Sequence, residues 1–182
     1  IARATDAGIY LHAGPEIGVA STKSFTSQVA ALSLFALYLG RQRGLDPEVT
    51  RRVLSEIQTL PDKVQKVLAR ADEIEGLARR LVERGHSNFL YLGRGYSFPA
   101  ALEGALKLKE ISYIHAEGFS AAEMKHGPIA LIDESMPVVV VAPRDSVYAK
   151  VLSNMREVKA RGGYLVAVTT EPNGLADLAD EV

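Results

Sequence analysis

Hydrophobic positions change their spacing near residue 88. Before it, apolar residues recur at helical intervals with no strand-like run between about Thr22 and Arg84. "STKSFTSQVAALSLFALYLGRQRG" offers Ser21 or Thr22 as an N-cap, a long apolar stretch, and Gly44 as a stop. "LDPEVTRRVLSEIQTL" places Asp46 as N-cap ahead of Pro47, and Pro61 ends that helix. "DKVQKVLARADEIEGLARRLVERG" supplies one or two amphipathic helices ending at Gly85. After residue 88 the short runs "NFLYLG", "MPVVVVAP" and "GYLVAVTT" read as strands bounded by Gly and Pro. Helical patterns near Ser97–Ile114 and Ser146–Arg161 separate them. This alternation predicts an α/β fold: a doubly wound parallel sheet with right-handed crossovers, preceded by a helical segment. "PVVVVAP" lacks polar alternation, as a strand covered on both faces should.

The two ends read as interrupted units. "GIYLHA" is expected to be the last strand of a preceding α/β unit, and "LADLADEV" halts where a further strand is due. The expected organisation is therefore residues 1–20 as the tail of one subdomain, 21–85 as a helical connection, and 86–182 as a second subdomain lacking its last strand.

Composition narrows the chemistry. The formal net charge is −1 over 182 residues, which gives no reason to expect a nucleic-acid or membrane-surface partner. No apolar run approaches the roughly 20 residues of a membrane span. The chain has no cysteine, which excludes disulfides, thiolate nucleophiles and cysteine-ligated metals and fits a cytoplasmic protein. No metal and no cofactor is expected.

Charges are nevertheless set into the apolar stretch "LKLKEISYIHAEG". At about 100° per residue, Glu103 lies roughly 40° and Glu110 about 60° to the same side of Lys107. Leu102, Leu106, Ala105, Leu108 and Ala101 fill the opposite arc, interrupted only by Lys109. The helix is expected to be capped by Ser97. Two readings of the polar strip are open. Glu103 and Lys107 can form an ordinary i,i+4 pair, with Glu110 merely solvated. Alternatively Glu110 is a proton-transferring carboxylate kept ionised by Lys107. Downstream, Glu117, Glu123, Lys125 and His126 form a second cluster, and Gly127-Pro128 places His126 at the end of a short helical turn. His12, His86 and His115 have no comparable setting.

"ALEGALKLKEISYIHAEGFSAAEMKHGPIALI" and "EIGVASTKSFTSQ" together resemble the isomerase part of the glutamine–fructose-6-phosphate aminotransferases. The resemblance covers nearly the whole chain. It implies a sugar-isomerase (SIS) fold of three flavodoxin-like layers. It also implies conversion of fructose 6-phosphate and glutamine-derived ammonia to glucosamine 6-phosphate, by proton transfer between C1 and C2 through an enolamine. By motif alignment Glu110 matches the proton-transferring carboxylate and Lys107 the lysine beside it, which contacts the sugar oxygens. His126 matches the histidine that opens the sugar ring, reaching in from a neighbouring subunit. Val19 and Ser21 match positions that contact the sugar through backbone and hydroxyl groups. The expected partners are a sugar phosphate, a second copy in a homodimer, and a glutaminase domain elsewhere in the parent chain. "LGRGYS" has strand–turn–helix form and free N–H groups for a phosphate. In the family, however, a Ser/Thr-rich loop of the first subdomain holds the phosphate, so "LGRGYS" is expected to be its structural counterpart. The Ser/Thr-rich loop and the family's C-terminal imine-forming lysine have no match here, so this stretch alone is expected to be inactive. The alternatives are another SIS sugar-phosphate isomerase or deglycase, a non-catalytic sugar-phosphate-sensing SIS module, and a dimerising role for the helices over Thr22–Arg84.

Overall fold

Residues 4–182 are described in the computed structural model. They form two compact units, one ending at Ile74 and one spanning Glu75–Val182.

The N-terminal unit is helical. Its helices are α1 (Lys23–Gln42), α2 (Pro47–Gln58), α3 (Leu60–Leu68) and the start of α4 (Ala71–Glu83). Asp46 caps α2 as its sequence requires, accepting a 2.8 Å hydrogen bond from the Glu48 amide. Pro61 lies in the first turn of α3, where its missing N–H costs nothing. α1 departs from expectation. Thr22 occupies the N-cap position, but neither its side chain nor that of Ser21 caps the helix. Glu16 does so from outside, accepting from the amides of Thr22 at 3.0 Å and Ser24 at 2.9 Å. These two backbone bonds hold its carboxyl near pKa 2, so it stays ionised at all ordinary pH values. The strand expected over "GIYLHA" is absent: residues 8–13 are irregular, with Ile9 and Tyr10 exposed. A strand needs a neighbour for its N–H and C=O groups, and this unit contains no other strand among its described residues.

The C-terminal unit is built on four parallel strands: β1 (Asn88–Gly93), β2 (His115–Ser120), β3 (Pro137–Ala142) and β4 (Tyr164–Thr169). Their order is β2-β1-β3-β4, so the chain reverses direction across the sheet between β1 and β3. α5 (Ser97–Ser112) links β1 to β2, and α6 (Tyr148–Ala160) links β3 to β4. Alternate residues face opposite helical layers. Leu90, Leu92, Val138 and Val140 join Val151, Met155 and Val158 of α6. Phe89, packed with Tyr91 and Val139, joins Ala105 and Leu108 of α5 and Leu81 of α4. Burial on both sides explains why β1 and β3 read as unbroken apolar runs. Beside β4, Glu181 forms a parallel bridge to Val166.

β2 is the element the hydrophobic pattern does not reveal. "HAEGFS" contains no β-branched residue and lies at the sheet edge, with only Ala116 fully buried. Its glycine is informative, because a Cβ on Gly118 would lie 2.8 Å from the Leu102 Cα, so α5 lies directly on this strand. Gly93 closes the β1–α5 turn even more tightly: a Cβ there would meet the Ser97 carbonyl oxygen at 2.1 Å. Ser97 is the first helical residue rather than the expected cap, and its side chain makes no capping bond.

Gly93→Ala is expected to destabilise the protein by about 1–3 kcal/mol, the usual cost of forcing extra volume into packed structure. Gly8→Ala, which meets nothing within 4 Å, should leave the urea midpoint nearly unchanged.

Candidate active site

α5 carries the polar strip. Lys107 Nζ lies 2.7 Å from Glu110 Oε2 and 3.3 Å from Glu103 Oε1, so one ammonium serves two carboxylates. The i,i+4 pair to Glu103 exists, but the shorter contact is to Glu110, which is therefore not merely solvated. The three side chains are 23%, 22% and 30% exposed for Glu103, Lys107 and Glu110. Glu110 sits in the last turn of the helix, where the backbone dipole is negative at its end and an acid is unfavourable. Lys107 supplies the compensating charge. The hydrogen bond to Glu110 raises the Lys107 pKa; partial burial opposes this and Glu103 adds to it. The stabilisation is thus fully present below the ordinary lysine value of 10.5 and is lost only as pH rises through the raised one.

Tyr113 ends α5 in a left-handed conformation at φ 62°, and its amide returns to the Lys109 carbonyl at 3.1 Å. The expected apolar arc is covered along one narrow face only. Ala101 and Ala105 are buried, whereas Leu102, Leu106, Lys109, Ile111 and Tyr113 are exposed around the charged strip.

His126 ends a short 3-10 turn, Met124–His126, as its sequence predicts. Met124 anchors the turn in the core and Lys125 pairs with Glu157 of α6 at 2.9 Å. The imidazole is exposed, with Nε2 4.0 Å from Glu123 Oε2. The turn follows the C-terminal end of β2, where the Ala121 amide bonds the Gly93 carbonyl. Glu110 precedes the N-terminal end of the same strand, whose first residue pairs with Asn88. One chain therefore holds Glu110 and His126 at opposite ends of the sheet, separated by roughly the 20 Å that a six-residue strand spans. Val19 and Ser21 belong to the N-terminal unit. Val19 is exposed in the bend before α1, and Ser21 is half-buried beside it.

Among the described residues no group of three His, Cys, Asp or Glu side chains is placed to hold a metal ion. No helix there is long and apolar enough to cross a membrane. Glu103 belongs to the site by geometry; its helical phase signalled it, though no role followed from phase alone.

Comparison with known proteins gives a consistent picture. The SIS domain family model matches residues 84–182. The chain is 57% identical over 171 residues to a glutamine–fructose-6-phosphate aminotransferase [isomerizing] of Chlorobaculum tepidum, covering 94% of this chain and 28% of that protein. A protein of the same name from Thermus thermophilus is 54% identical over 166 residues, covering 90% and 27%. The chain thus spans under a third of the length of these curated relatives. Among solved structures, the C-terminal domain of glucosamine-fructose-6-phosphate aminotransferase from Francisella tularensis superposes with a TM-score of 0.93 at 39% identity, covering 100% of this chain and 52% of that one. A putative phosphosugar isomerase from Silicibacter pomeroyi gives 0.68 at 32% identity, covering 88% and 45%.

Substituting either carboxylate by its amide tests the shared ammonium. Glu110→Gln should lower the pH at which Lys107 deprotonates, and Glu103→Gln should lower it less, read from the Lys107 side-chain resonances in an alkaline NMR titration.

Proposed function

Because the chain belongs to the SIS-domain family, we propose that it is the ketose–aldose isomerase part of a glutamine–fructose-6-phosphate aminotransferase acting in the cytoplasm. Residues 1–20 then end a first SIS subdomain, 21–85 connect, and 86–182 belong to a second. The observation that carries this reading is the 2.7 Å contact between Lys107 and Glu110 in the last turn of α5. It supplies a carboxylate, partly shielded from water, beside a lysine, in a chain 57% identical over 171 residues to a relative of that name.

In this reading Glu110 takes a proton from C1 of the imine of fructose 6-phosphate. The C1–H electron pair becomes the C1=C2 bond of an enolamine, and the C2=N pair moves onto nitrogen, which takes up a proton to become the amine. The proton on Glu110 then goes to C2 while the C1 hydroxyl releases its proton, balancing the one nitrogen gained, and becomes the aldehyde. One carboxylate serves both carbons because it can act as base and then as acid. Lys107 stands beside Glu110 and meets the sugar oxygens, and Glu103 holds Lys107 from its other side. Val19 and Ser21 contact the sugar by backbone and hydroxyl. Ring opening falls to His126 of the partner subunit, since the histidine of the same chain lies across the sheet from Glu110. A homodimer supplies it, and the exposed apolar residues around the strip suit such a contact. Ammonia comes from a glutaminase domain of the parent chain. A sensing module or a deglycase of the same fold is less favoured, because identities above half of all positions are to proteins with the aminotransferase name.

In the full-length protein, Glu110→Gln should reduce glucosamine 6-phosphate formation by about 10²–10⁴-fold, the usual worth of a positioned acid–base group. The glutaminase rate and the melting temperature should be unchanged. Turnover at the wild-type rate would sink the assignment. The 182-residue chain alone should show no conversion of fructose 6-phosphate and ammonia, because positioning of the reacting carbons is worth many orders of magnitude; product in a coupled assay would refute this.

A further inference from the structure

Val19 and Ser21, the two residues of the N-terminal unit assigned to sugar contact above, lie on a stretch with no regular structure of its own. Residues 17–21 precede α1 and belong to no helix or strand. Ile17 is 99% exposed and Val19 89%, so the stretch projects from the unit, and only Ala20 is buried. Among the described residues, no hydrogen bond between backbone groups outside helices and strands involves Ile17–Ser21. Projecting backbone without such bonds has many conformations open to it. A ligand that needs one of them must order the chain as it binds, which weakens the binding.

Glu16 supplies the missing constraint. Its Oε1 accepts from the amides of Thr22 at 3.0 Å and Ser24 at 2.9 Å, and its Oε2 accepts from the Thr22 hydroxyl at 3.2 Å. The three bonds join the residue before the stretch to the residues after it and so close it into a loop. A separate contact holds the same two ends together: a Cβ on Gly14 would lie 3.9 Å from Lys23 Nζ. Glu16 is half-buried, and with its carboxyl near pKa 2 the tether is ionised at every working pH. Capping α1 does not by itself call for this arrangement. A short polar side chain at the N-cap can accept from the Ser24 amide directly. Thr22 stands at that position, yet it gives its hydroxyl to Glu16 and makes no cap. A carboxylate six residues upstream reaches the helix end only by bending the intervening chain back on itself.

We propose that Glu16 is a positioning residue: by tying Thr22 and Ser24 to itself, it fixes the loop that presents the Val19 backbone and the Ser21 hydroxyl to a sugar phosphate. This rests on the reading of the chain as the isomerase part of an aminotransferase. Glu16 touches no substrate in this role. It orders the loop when the protein folds, so that binding does not have to order it. Loss of the tether weakens sugar binding more than it slows proton transfer at Glu110.

The test is steady-state kinetics of the full-length protein with fructose 6-phosphate. Glu16→Ala is expected to raise KM about tenfold, as loss of hydrogen bonds to a charged group requires, with a smaller fall in kcat. Glu16→Gln, which keeps a carbonyl oxygen for the two amides, should raise KM less. Glu16→Ala combined with Thr22→Asp separates positioning from capping, since an aspartate at the N-cap restores the cap without closing the loop. Its melting temperature is expected to return toward the wild-type value while KM stays high; this variant also serves if Glu16→Ala alone does not fold. Recovery of KM together with the melting temperature would reduce Glu16 to a helix cap and overturn the proposal. A wild-type KM in Glu16→Ala would overturn it too. Glu110→Gln measured alongside keeps the two claims apart. Wild-type turnover in that variant removes the isomerase reading, whereas a wild-type KM in Glu16→Ala beside an inactive Glu110→Gln removes only the role of Glu16.

Discussion

The close seat of α5 on the sheet fixes everything that can happen on its outer side. Gly118 lets the helix backbone approach β2 to a distance no side chain would permit. Ala101 and Ala105 bring the same face down toward the sheet. With that face pinned, the 100° step of the helix dictates that Glu103, Lys107 and Glu110 emerge together at the boundary between core and solvent. A helix held a few ångströms further out, or rotated by one residue, would keep the three together, since all lie on α5, but would move them off that boundary. Helical phase thus sets the geometry of the ion cluster, and packing sets where it stands.

Much of this was legible in the sequence where physical signals are local or periodic. β1 and β3 announce themselves because strands buried on both faces must be apolar throughout, and β4 does so through its run Leu165–Val168. Asp46 and Pro47 mark the start of α2 because each satisfies a specific backbone requirement. β2 escapes the same reading because it buries only Ala116 fully and has no β-branched residue, whereas β4, also terminal in the strand order, buries Leu165, Val166 and Ala167. "GIYLHA" misleads for the converse reason: its composition suits a strand, but extended chain becomes a strand only when something pairs with it. The capping of α1 is also hidden, since Glu16 reaches it from six and eight residues upstream rather than from the N-cap position.

The candidate site divides in the same way. Helical phase is enough to gather Glu103, Lys107 and Glu110 on one strip, and the turn at Gly127-Pro128 is enough to place His126 at the end of a short helical segment. Phase cannot say which acid the lysine prefers, because that depends on side-chain reach at the helix end. Nor can it reveal that His126 and Glu110 stand at opposite ends of the sheet, a fact of topology created by the return through β2.

Two acids sharing one base leave the α5 trio with a surplus of one negative charge. The ammonium is met by a carboxylate on each side, so if one acid turns to another partner the other still holds it, and a bare cation is never stranded against the apolar side chains nearby.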